Sequence, residues 1–135
     1  MTPFVDTNLF IRYMTEDDPV QTDEVESLFI KVKEGKETVQ TSVMVIVEIV
    51  WVLESIFKKS RDEIKEMIQK IINTQNLMVE NRDILLQGLE IYSQKNIDFV
   101  DAYHAVFLKS TGEKIIYSFD QDFDKIEWIE RREPA

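Results

Sequence analysis

The stretch Val43–Leu53, VMVIVEIVWVL, is the longest apolar run in the chain, eleven residues broken only by Glu48. Spanning a bilayer takes about 20 apolar residues, so the run predicts a buried core element and no membrane helix. Its β-branched residues favour a strand by propensity. Continued through Ile56 and Phe57, however, it is long for a strand, and the length predicts a helix. On a helix Glu48 shares a face with Met44, Val45, Trp51 and Val52, so its side chain is expected to press against apolar neighbours. A lone ionised carboxylate there is costly or takes up a proton. It needs either a buried Lys or Arg partner or a bound cation.

Around this run, hydrophobic periodicity marks an alternation of strands and helices. Thr2–Val5 reads as a short buried strand ending at Asp6-Thr7-Asn8, followed by a helical turn LFIRYM. Asp18 as N-cap with Pro19 at the first helical position opens a helix carrying Val25, Leu28, Phe29 and Val32, which Gly35 ends. TVQT (38–41) reads as a strand. Ser60 and Glu63 stand at capping-box spacing ahead of Ile64, Met67, Ile68, Ile71 and Ile72. LMVE (77–80) is a strand, and Leu85, Leu86, Leu89 and Tyr92 mark another helix. Asp98 fits an N-cap and Gly112 a C-terminal stop for the next helix. KIIYSFD (114–120) is a buried strand, and KIEWIE (125–130) a last edge strand. Strands alternating with helices predict an α/β layered fold with a mainly parallel sheet.

The 135 residues suit one domain, 1–135, and with three Gly and three Pro no long linker is expected. No cysteine is present, which excludes disulfides and thiolate metal sites. No basic segment or cleavage site follows Met1, so no signal peptide and a cytoplasmic location are expected. The net charge of −10 argues against a nucleic-acid partner only formally, because carboxylates gathered on divalent cations count as negative until metal binds.

The acids fall where a parallel sheet needs them. Ligands bind beyond the carboxyl ends of such strands. Asp6 ends the first strand, Asp120 ends a late one, and Asp101 lies in the first turn of a helix. Together with Glu48, four carboxylates from distant parts of the chain could converge on one pocket. Such a set, without Cys, suits Mg²⁺ or Mn²⁺. Each acid also has a plain structural alternative: a turn for Asp6, a buried ion pair for Glu48, a cap shared with Asp98 for Asp101, and a solvated acidic turn for Asp120, Asp122 and Asp124. His104, the only histidine, lies on the face of Asp101 and reads as a packing or surface residue. Arg12, one turn beyond Asn8, is a candidate RNA contact; Lys58 and Lys59 are weaker ones.

Taken in order, FVDTNLFIRY, the Glu in MVIVEIVWVL, DFVDAYHA and YSFDQDFDKI resemble the PIN-domain family over nearly the whole chain. Within it they most resemble the VapC-type toxin ribonucleases of prokaryotic toxin–antitoxin pairs. The resemblance implies a three-layer PIN-like fold with a mainly parallel sheet flanked by helices, and a Mg²⁺- or Mn²⁺-dependent endoribonuclease. It further implies RNA as substrate, a cognate antitoxin and a homodimer. The family's acids fall on Asp6, Glu48, Asp101 and Asp120, with Thr7, Asn8 and Ser118 in support and Asp122 able to assist or substitute. A housekeeping RNA-processing nuclease fits the same residues, and a non-catalytic RNA- or protein-binding module is the alternative of another class. A phospho-acceptor module would need an acidic pair at the first strand and a Lys at the end of a late one. Neither is present.

Overall fold

The computed structural model describes residues 1–15 and 18–135. The chain groups into two compact units, Met1–Arg82 and Asp83–Ala135, and both combine helices with short parallel strands.

The first unit contains α1 (Thr7–Thr15), α2 (Pro19–Lys33), β1 (Val39–Thr41), α3 (Val43–Ser55), α4 (Arg61–Ile72) and β2 (Leu77–Val79). β1 pairs in parallel with β2, Val39 opposite Leu77. On its other edge β1 meets the chain start through a parallel bridge between Phe4 and Gln40. Val5 N–H donates to the Gln40 carbonyl at 2.8 Å, and Gln40 N–H to that of Pro3 at 2.9 Å. The strand expected over Thr2–Val5 is therefore a single bridge. All three segments run the same way, so Asp6, Ser42 and Glu80 follow their carboxyl ends.

Local chemistry explains why the β-branched run is helical. Ser42 caps α3 by accepting from Val45 N–H, and the Glu80 carboxylate accepts from Val43 N–H at 2.9 Å, so two backbone donors at the helix start are satisfied. Val45, Ile46, Ile49, Val50 and Leu53 then bury one face. The capping box at Ser60 and Glu63 forms as expected, and Ile64, Ile68, Ile71 and Ile72 are buried along α4. Asp18 caps α2 with Pro19 in its first turn, and the Phe29 ring packs 5.6 Å from Phe10 and 4.5 Å from Tyr13.

The second unit holds α5 (Arg82–Gln94), α6 (Phe99–Thr111), β3 (Ile115–Tyr117), a 3₁₀ helix (Gln121–Lys125) and β4 (Glu130–Arg132). α5 lies against α6 at Gly88, where a Cβ would stand in ordinary van der Waals contact, 3.5 Å from the Tyr103 backbone. Tyr92 meets Phe99 edge-on at 5.8 Å, and Gly112, at φ +82°, ends α6 in the left-handed region.

Two strand boundaries differ from expectation. β3 stops at Tyr117, because Asp120 N–H turns back to Ser118 Oγ. The last strand is not 125–130: Lys125 still belongs to the 3₁₀ helix and β4 begins at Glu130, parallel to β3 with Ile115 opposite. Burial of Ile126 and the bond from Trp128 Nε1 to the Ala105 carbonyl (3.1 Å) tie the intervening residues to α6 instead. Among the described residues, no helix is long and apolar enough to cross a membrane.

Candidate active site

In the second unit Asp101 lies half-buried in the first turn of α6. The capping role shared with Asp98 does not form, since the Asp98 side chain makes no cap hydrogen bond. Asp101 is instead hydrogen-bonded to Asp120, and its pKa is pushed up to about 6. Burial is the main cause, followed by that hydrogen bond and then by the negative charges of Asp120, Asp98 and Asp122. The protonated Asp101 donates and Asp120 accepts.

Asp120 is set by the turn that follows β3. Its N–H donates to Ser118 Oγ at 3.0 Å, and its Oδ1 accepts from Asp122 N–H at 2.9 Å. The two neighbouring acids have cations of their own. Asp122 is paired with Lys125 at 2.9 Å, and Lys125 also donates to the Asn96 carbonyl ahead of α6. Asp124 takes a two-pronged contact from Arg131, at 3.0 and 3.2 Å, while Arg131 Nη1 reaches the Ser118 carbonyl at 3.1 Å and Glu133. Of the three acids in this turn, Asp120 is the one engaged with another acid.

In the first unit Asp6 is exposed directly after Val5, its Oδ1 accepting from Thr7 N–H at 2.7 Å. Thr7 is buried, and its Oγ1 has no protein partner. Asn8 is exposed, and Arg12 donates through Nε to Gln21 Oε1 at 2.7 Å. Glu48 departs from expectation: α3 is a helix, but Glu48 is exposed on it, on one stripe with Met44 (75% exposed) and Trp51 (60%). The apolar run packs on one side only, so the carboxylate stays in water and needs no buried partner. His104 is exposed, its ring 6.2 Å from that of Tyr103. Among the described residues, no group of three or more His, Cys, Asp or Glu side chains is arranged to hold a metal ion.

A model of the PIN domain matches residues 4–129. The chain belongs to the PIN-domain family. It is also 28% identical over 123 residues to a VapC ribonuclease of Aquifex aeolicus (strain VF5), covering 90% of each chain. The PIN match spans both compact units and runs from Phe4 to Ile129, so it includes Asp6, Glu48, Asp101 and Asp120.

PIN membership implies a divalent cation, and the residues suit one. Two carboxyls near enough to share a proton are an oxygen donor set that a hard cation accepts in the proton's place. The buried Thr7 hydroxyl beside Asp6 is a polar group for which the protein supplies no partner. Sequence reading missed Arg131 and Lys125. Both act on the turn that carries Asp120, and the register setting Arg131 opposite Ile116 is a tertiary fact. It also missed Glu80, whose carboxylate at the end of β2 serves α3.

Proposed function

We propose that this PIN domain, residues 1–135, is a divalent-cation-dependent endoribonuclease acting in the cytoplasm as the toxin of a toxin–antitoxin pair. The similarity to a VapC ribonuclease supports the RNA substrate, and the antitoxin partner and the homodimer rest on the resemblance to the VapC-type toxins. The observation that carries the chemistry is the hydrogen bond between the Asp101 and Asp120 carboxyls, in which partly buried Asp101 holds its proton above the usual carboxylate range and marks a spot suited to positive charge.

In this reading Asp6, Asp101 and Asp120 are the ligands and Glu48 is the fourth acid. Mg²⁺ or Mn²⁺ held there would supply a water that ionises readily to a nucleophile and would offset negative charge on the phosphate. The chain's own part is to hold and orient. Thr7 N–H fixes the Asp6 carboxylate, and Ser118 Oγ fixes the backbone at Asp120. Asp101 would hold the cation as a carboxylate, its proton passing to solvent. Lys125 and Arg131 keep Asp122 and Asp124 engaged, which favours Asp120 as the ligand of this turn. Asn8 orients the acids, and Arg12 contacts the RNA.

Purified protein incubated with single-stranded RNA tests this reading. Cleavage that needs added Mg²⁺ or Mn²⁺, stops with chelator and is lost in D6N is expected. Cleavage that persists in chelator or in D6N overturns it. Growth arrest on expression, absent in D6N and relieved by a small protein encoded next to this chain, tests the toxin role.

A further inference from the structure

A cavity of about 390 Å³ lies between α1 and α2, lined by Asn8, Arg12, Gln21 and Glu24 and by the apolar side chains of Leu9, Val25 and Leu28. It begins two residues beyond Asp6 and lies wholly within the first compact unit. Its volume falls in the range of small-ligand sites. Resting on the ribonuclease reading above, we propose that this cavity receives one base of the RNA and reads its edge, with Glu24 as the specificity-determining residue.

Three features of the lining support a base. Arg12 is half-buried, and its Nε donates to Gln21 Oε1 at 2.7 Å across the two helices, which fixes the plane of the guanidinium. A fixed guanidinium plane is a stacking platform for an unpaired base. Leu9, Val25 and Leu28 give the same space an apolar wall. The Glu24 carboxylate sets the polarity of the ligand: it repels phosphate and accepts from amino and imino donors. Adenine, cytosine and guanine present an exocyclic amino group with two N–H donors, whereas uracil offers a carboxylate only its single ring N–H. With Gln21 Oε1 taken by Arg12, the amide nitrogen is the group Gln21 offers a ligand. Asn8, on the first turn of α1, offers both a donor and an acceptor. The cavity therefore fits an amino-bearing base next to the phosphodiester that Asp6 addresses.

The test is binding and cleavage on RNA pentamers that differ at one position. Binding is measured in chelator, following the Arg12 Nε–H and Gln21 side-chain resonances. Expected are shifts of both resonances with A, C or G at one fixed position and weaker binding, by about 10-fold or more, with U there. E24Q is expected to remove that discrimination in binding, and in the sequences of the cleaved ends when Mg²⁺ is present. Equal binding of all four bases, resonances that do not move, or an E24Q profile identical to the parent overturns the proposal. Base discrimination that persists in chelator without any cleavage in Mg²⁺ leaves the pocket standing and defeats the nuclease reading. Cleavage whose base preference ignores E24Q does the reverse.

Discussion

Asp101 and Asp120, nineteen positions apart in the chain, share one hydrogen bond at the start of α6 and the turn after β3. Two like-charged groups accept such proximity only with positive charge between them, a proton or a cation. The electrostatics of the candidate site follow from that pairing.

One consequence is a pH dependence of metal-free stability. Unfolded, Asp101 loses its proton near the ordinary aspartate value of 3.8; folded, it holds the proton to about 6. Between those values the folded state binds more protons than the unfolded state, so this contribution is full below the lower value and is lost as pH rises through the upper one. With solvent screening allowed for, it is on the order of 1 kcal/mol. Denaturation in chelator at several pH values should therefore show a loss between about pH 4 and 6 that is missing in D101N. Parallel curves for the two proteins would contradict the shared proton.

Glu48 gives a separation of roles. Because it is exposed on α3, E48Q should leave stability within about 0.5 kcal/mol. Cleavage should fall by about 100-fold or more if Glu48 is the fourth acid. A large loss of stability would instead indicate a structural ion pair.

Much of this was legible in the chain. Pro19 after Asp18, the Ser60–Glu63 capping box and Gly112 mark helix ends by local chemistry, and all three hold. The α/β alternation and the PIN resemblance hold as well. The orientation of Glu48 was not legible, because a run apolar on every side does not say which face a helix will bury. Nor was the position of β4, which depends on Trp128 bonding to Ala105. The partners of Asp122 and Asp124 were likewise hidden, since they come from Lys125 and from a register across two strands.

Those partners lead to a third prediction. D120N should abolish cleavage, whereas D122N and D124N should keep it within about 10-fold, since their carboxylates serve Lys125 and Arg131. Kinetics on the three variants decide the point; equal losses in all three would show that the turn acts as one cluster.

Arg131 is the brace of that turn, with its side chain only 12% exposed and bonded to Asp124, Glu133 and the Ser118 carbonyl. R131M should lower the thermal unfolding midpoint through the lost charge-assisted bonds. It should also weaken Mn²⁺ binding by about 10-fold, as loss of a supporting contact does. R131K keeps the charge without the fork and should restore only part of either. Mn²⁺ titration followed by electron paramagnetic resonance, with thermal unfolding alongside, separates the two effects. Unchanged Mn²⁺ affinity in a folded R131M would remove Arg131 from the site.

The most direct measurement is calorimetric titration of the protein with Mn²⁺ at pH 5 and pH 7.5, in buffers of different ionisation enthalpy. If a cation takes the place of the proton shared by Asp101 and Asp120, binding is tighter at the higher pH. A proton is released on binding at pH 5 and almost none at pH 7.5, and D101N loses at least about 10-fold in affinity. Equal affinity at both pH values with no proton released, or D101N binding as well as the parent, would contradict the account.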